Sequence, residues 1–223
     1  MDIGSAFTYM FDDEEWIKKL AIGGAIALVA FILSPIIIGI VLMLPLTGYM
    51  IEVLKNVRDG QTQPLPEWSD WGGLFKTGLM VVVIAVVYNI PAIILACGAG
   101  IIQGVGPQLD SDTASTLTFV AVCLNCLQIL VSIICNLFVP AAVIRYAQYD
   151  TLGAAFQFGD IFNFIKANIG DYIIVVLLSW VASIIAAFGV ILCLVGVFFT
   201  FFWSILVTGN LYGQLAKKAP VTM

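Results

Sequence analysis

The sequence predicts an all-α, polytopic transmembrane bundle: six helices paired as three hairpins, with amphipathic segments lying at the interface. Three observations lead there. Of 223 residues, 61% are hydrophobic and 10% charged, and the mean hydropathy is +1.08; a soluble domain carries roughly 25% charged residues. A core cannot absorb that excess in a chain of this size, so the excess faces lipid. The apolar residues gather in four blocks, 20–51, 78–102, 117–144 and 172–211. One crossing takes about 20 residues, so the first and last blocks are too long for a single simple span. All nine Lys and Arg flank these blocks and none interrupts them. No segment outside them is large enough for a soluble domain, so residues 1–223 read as one transmembrane domain.

Taken in order, the elements begin with "DDEE" at Asp12–Glu15. Acids stand where a cleaved signal needs a basic region, so no signal peptide is expected. Asp12-x-x-Glu15 reads as a capping box, followed by Trp16, Lys18 and Lys19 as interfacial anchors. The first block contains Ser34-Pro35. Proline disfavours helix at the residue before it and has no N–H to donate, which suits a turn between two crossings. The crossings then fall at about 19–34, 36–54, 77–102, 117–144, 171–190 and 194–214, with all nine basic residues on one face. A single kinked helix over the first block would instead separate Lys18 and Lys19 from the other seven. The bias of Lys and Arg toward the cytoplasm favours the hairpin and places both termini inside. A hairpin of only about 17 or 18 residues per crossing also fits a re-entrant segment.

The chain repeats itself. "IGSAF" at Ile3–Phe7 returns as "LGAAF" at Leu152–Phe156, and "TGYMIEVLK" at Thr47–Lys55 resembles "TGNLYGQLAK" at Thr208–Lys217. A looser middle copy runs from "DWGGLFK" to "PAAVIRY", giving units of about 1–59, 60–150 and 151–223. Each unit holds an interfacial stretch with interleaved aromatics, two crossings and a polar exit.

Several residues carry candidate chemistry. Cys123-x-x-Cys126 lies one helical turn apart near the outer end of its block, as does Cys97. Packing as small hydrophobes, a Cys97–Cys123 or Cys97–Cys126 disulfide, and a metal site are the readings open to them, with Cys135 and Cys193 elsewhere. The absence of histidine excludes mixed Cys/His zinc and His-held haem. Gly100-x-x-x-Gly104, Gly209-x-x-x-Gly213 and Ser179-x-x-x-Ser183-x-x-x-Ala187 fit close helix packing. Asn89 sits within an apolar helix, and Asn125, Gln128 and Ser132 share one face, continued by Asn136. Such a stripe either lines a pathway or bonds helices together. Glu52 and Arg145 are the charges deepest in apolar context and form a candidate ion pair. No hydrolase, metalloprotease or phosphate-loop signature is present, and neither enzyme activity nor a cofactor is expected.

The N-terminal third is similar to an uncharacterised family of prokaryotic polytopic membrane proteins. Ala6, Phe7, Tyr9, Phe11, Asp12, Trp16, Lys18, Gly23 and Gly24 carry the resemblance, then Gly48, Tyr49, Gly60, Pro64, Leu65, Pro66, Glu67, Trp68 and Asp70. It is specific over residues 2–75. It implies a prokaryotic inner membrane and carries over no functional residue. The expected role is a non-enzymatic structural, assembly or accessory subunit of a membrane complex. The alternative is a small transporter or channel with a pathway along 117–144. The expected partners are lipid and other membrane subunits or a second copy, not nucleic acid.

Overall fold

A computed structural model describes residues 1–35, 37–192 and 195–219. All regular structure among the described residues is helical: α1 Ile3–Thr8, α2 Trp16–Ile32, α3 Ile37–Arg58, α4 Trp71–Val105, α5 Ser111–Tyr149, α6 Phe158–Ala167, α7 Ile169–Ala187 and α8 Gly196–Lys218. Among the described residues, five helices (α3, α4, α5, α7 and α8) are long and apolar enough to cross a membrane. The sixth expected crossing corresponds to α2, which has 17 residues, about 25 Å at 1.5 Å per residue.

The first apolar block is broken. α2 stops at Ile32, and the Leu33 and Ser34 amides close a turn on the Val29 and Phe31 carbonyls. α3 then doubles back so tightly that a Cβ at Gly39 would lie 2.5 Å from the Ala30 carbonyl oxygen. Ser34-Pro35 is therefore a reversal and not a kink. Ile36 and Cys193 lie outside the described residues.

The helices divide into two compact units, residues 1–82 with 141–223, and residues 83–140. These limits cut across the expected repeat boundaries. In the first unit α8 is the central helix, packed on α2, α3 and α7. Glycines set the approach. Gly23 and Gly24 of α2 receive the Phe202 and Phe199 rings, and Gly209 and Gly213 of α8 lie against the Met50 and Leu54 carbonyls. Matching 50 with 209 and 54 with 213 makes α3 and α8 parallel. Gly48 and Gly78 let α3 and the start of α4 cross with Leu74 and Leu44 backbone against them, which makes that pair antiparallel. On α7 the buried face is Tyr172, Val175, Val176, Ser179, Ala182 and Ala186, so Ser179 packs as expected while Ser183 and Ala187 stay exposed.

The second unit pairs the rest of α4 with α5 up to Pro140, joined through the turn at Gly106–Gln108. Asp110 starts α5 by accepting the Thr113 amide at 3.0 Å. The expected Gly100-x-x-x-Gly104 packing is not realised: a Cβ at either position meets nothing within 4 Å. The expected capping box does not form either. Glu15 precedes α2 without a side-chain cap bond, because the acid that turns inward is Asp13, drawn to a buried lysine.

Candidate functional site

That lysine is Lys19. Neighbouring helical positions point about 100° apart, so Lys18 stays at the surface with Glu15, 2.8 Å away, while Lys19 turns into the bundle. Its ammonium and the Asp13 carboxylate are each only 6% exposed and sit 2.9 Å apart. Glu67 lies 2.7 Å from the same nitrogen, and the Leu65 carbonyl accepts a third bond at 3.1 Å. An ammonium has three donors; all are engaged.

Leu65 belongs to a strap between α3 and α4. Pro64 and Pro66 hold it extended and offer no N–H, which leaves successive carbonyls free to accept. Each is taken by a different side chain: Pro64 by the Asn56 amide at 3.0 Å, Leu65 by Lys19, and Pro66 by the buried Tyr49 hydroxyl at 2.7 Å. Trp68 then stacks on Tyr49 with centroids 4.4 Å apart and donates its indole N–H to the Lys19 carbonyl at 3.2 Å. Phe202 of α8 closes the aromatic cluster. This brace ties the N-terminal segment, α2, α3, the strap and α8 together. Sequence reasoning placed Lys19 at the interface and missed it, since six-residue spacing from Asp13 matches no helical pairing. The available signal was that Lys19 lies one step further into the apolar run than Lys18.

The expected Glu52–Arg145 pair is not made. Arg145 bonds Asp160 and Gln157, both at 2.9 Å, and its guanidinium lies 5.0 Å from the Tyr149 ring centroid. Glu52 faces Lys55 one turn along α3, 3.6 Å away, and Lys55 also pairs with Asp150. The local partner prevails for Glu52 because i and i+3 are neighbours on a helix. Arg58 donates to the Ala147 carbonyl at 2.6 Å, a basic cap on the last turns of α5. Beside it Asp59, bonded to the same guanidinium at 2.7 Å, is held below the usual carboxylate range.

Within the second unit, the Asn136 side-chain N–H groups bond Asn89 Oδ1 at 3.2 Å and the Ser132 carbonyl at 2.8 Å. Asn89 and Asn125 each donate to their own helix at 2.9 Å. The structure thus joins Asn89, Ser132 and Asn136, leaves Asn125 bonded within α5, and gives Gln128 no hydrogen bond among the described residues. The possible disulfide is not formed: Cys97, Cys123 and Cys126 are free and exposed.

A family model described as "Protein of unknown function (DUF4013)" matches residues 28–195, well over half of the chain. The chain belongs to that family. No curated protein and no solved structure matches it. The DUF4013 match takes in Tyr49, the strap and Arg145 but begins after Asp13 and Lys19. It therefore extends far beyond the resemblance at residues 2–75, and the brace joins matched to unmatched chain.

Proposed function

We propose that this DUF4013 protein is a six-crossing, non-enzymatic component of a membrane assembly, held in a prokaryotic cytoplasmic membrane with its charged face and both termini inside. One observation carries the reading. In α5 only 6% of the apolar central stretch is buried, against 50% in α8, yet this barely covered helix carries Gln128, unbonded among the described residues, and an exposed Asn136 whose N–H groups are taken but whose Oδ1 accepts no bond among those residues. An amide left unsatisfied in hydrocarbon is costly, and another helix is the usual remedy. The polar groups elsewhere are already committed: Lys19 has no donor to spare, and Arg145 is held by Asp160 and Gln157. The reversal at Ser34-Pro35 and the antiparallel crossing of α3 with α4 support six crossings, with the basic residues on one face.

The same amides favour a second reading, a small transporter whose water-filled path runs along Asn125, Gln128, Ser132 and Asn136. Weighing the C-terminally tagged protein, extracted from native membrane in a lipid-retaining detergent, separates the two. A discrete assembly that falls apart on Gln128→Leu and Asn136→Leu substitution supports the subunit. A lone monomer sinks it and sends the protein to flux assays. Topology is tested separately: a lone cysteine in place of Ser34 is expected to react with an impermeant reagent from outside, and labelling only from the cytoplasmic side would overturn the six-crossing arrangement.

A further inference from the structure

At the charged face of the first unit, a cleft of about 280 Å³ opens between α1, the ends of α3 and α8, and the turn after α3; it is lined by Ser5, Asp12, Gln61, Asn210, Gln214 and Lys217 among others. Asn210 is 4% exposed, and its orientation is fixed by a chain of hydrogen bonds. The Asp2 amide donates to Gln214 Oε1 at 2.8 Å, and Gln214 Nε2 donates to the Asp2 carbonyl at 2.9 Å, so the Gln214 amide faces one way only. Gln214 Nε2 also donates to Asn210 Oδ1 at 2.8 Å. Asn210 therefore spends its oxygen on Gln214 and turns Nδ2 away. That nitrogen has no acceptor among the described residues, where no sealed side-chain nitrogen or oxygen lacks a partner. Asn210 is among the residues that line the cleft, so this nitrogen is the free donor nearest to it.

Two further groups face the same space. Asp12 and Lys217 both line it, yet neither pairs with the other nor with any other described residue. Lys217 lies beside Gly60, whose φ of +74° turns the chain and where a Cβ would lie 3.3 Å from the lysine Nζ. The cleft thus holds one unpaired carboxylate, one unpaired ammonium and a buried amide donor. The C-terminal ends of α3 and α8 border it, and helix C-termini favour positive charge. A simple anion would meet Asp12 and both dipole ends; a simple cation would meet Lys217.

We propose that this cleft binds a small zwitterion with a primary ammonium and an anionic phosphate or carboxylate. The ammonium bonds Asp12, and the anionic group bonds Lys217 and Asn210 Nδ2. The volume suits a headgroup-sized molecule, since drug-sized sites run from about 300 Å³ upward. Phosphoethanolamine has this chemistry, free in solution or as the headgroup of a lipid at the interface.

The test uses the full chain in phosphatidylcholine nanodiscs, titrated with O-phosphoethanolamine by calorimetry. In parallel, protein reconstituted with equal phosphatidylethanolamine and phosphatidylglycerol is weighed intact with its retained lipid. Saturable binding of O-phosphoethanolamine points to a soluble source; selective retention of phosphatidylethanolamine alone points to lipid. Either supports the site if Asp12→Asn and Lys217→Met each weaken binding roughly tenfold or more, the loss expected for one charge-assisted bond. Both residues are exposed, so these variants keep the wild-type unfolding midpoint. Asn210→Asp keeps the oxygen for Gln214 while replacing the cleft donor with an acceptor, and weakens binding at least as much. Absence of binding by both probes overturns the proposal. So does binding that Asp12→Asn and Lys217→Met leave at wild-type strength.

Discussion

Two glycine pairs with the same spacing, one in each unit, behave in opposite ways. Gly209 and Gly213 on α8 lie against α3, where added Cβ atoms would come within 2.8 and 2.7 Å of the Met50 and Leu54 carbonyls. Gly100 and Gly104 on α4 face nothing within 4 Å. Small residues four apart permit two backbones to approach, but a helix must be there to approach them. The first unit uses its glycines to seat α8 among α2, α3 and α7. The second leaves open space around Gly100 and Gly104 and gives Gln128 of α5 no hydrogen bond among the described residues. Substitutions in the first unit should therefore cost stability, and those in the second should cost association or very little.

The largest expected effect is in the brace. Lys19→Ala strands the buried Asp13 carboxylate, and removing one partner of a buried pair costs roughly 3 kcal/mol or more; Glu67 is 58% exposed and rehydrates. The expected readout is a large drop in the thermal unfolding midpoint of purified protein. A midpoint within a degree of wild type would mean the brace carries no load. Next comes the α3–α4 crossing. Gly78→Ala places a Cβ 1.9 Å from the Leu44 carbonyl, and such overpacking costs about 1–3 kcal/mol. Gly104→Ala, with open space around it, should instead gain about 0.5–1 kcal/mol from helix propensity. If both alanines destabilise equally, the contrast between the units is wrong. Smaller again is Asn136→Ala, which removes the bond to Asn89 for about 0.6–2 kcal/mol. Lowered unfolding midpoint with unchanged particle mass would assign Asn136 to internal bonding alone.

How far the sequence could be read follows the same division. Composition, block length and the placement of basic residues reveal a multi-helix membrane protein, because lipid imposes those features on any sequence that enters it. Ser34-Pro35 was readable as a reversal because proline acts on its immediate neighbour. The partners of Lys19 and Arg145 were not readable. Lys19 reaches Glu67 and Leu65 in a strap after α3, and Arg145 reaches Asp160 beyond a tight turn at Asp150. Such pairings depend on how the chain folds back between helices, which no periodicity encodes. The amide stripe was visible, but whether Gln128 meets water, lipid or protein depends on what covers α5. The Gly209 and Gly100 motifs look alike for the same reason.

The smallest expected effect tests whether the N-terminal segment is truly seated on α8. Tyr9 is 7% exposed and donates its hydroxyl to the Leu206 carbonyl at 3.1 Å. Burial holds this phenol well above its usual value of about 10. In the folded protein it keeps its proton at a pH where the unfolded chain has released it. The folded state then binds more protons, so stability from Tyr9 is intact below pH 10 and declines as pH rises beyond it. Tyr9→Phe loses the hydrogen bond, about 1 kcal/mol at neutral pH, but has no phenol to titrate. The difference in unfolding midpoint between wild type and Tyr9→Phe should be constant from pH 7 to about 10 and then shrink. A difference that stays level to pH 11 would mean the phenol ionises in place without penalty, which a side chain sealed between α1 and α8 cannot do.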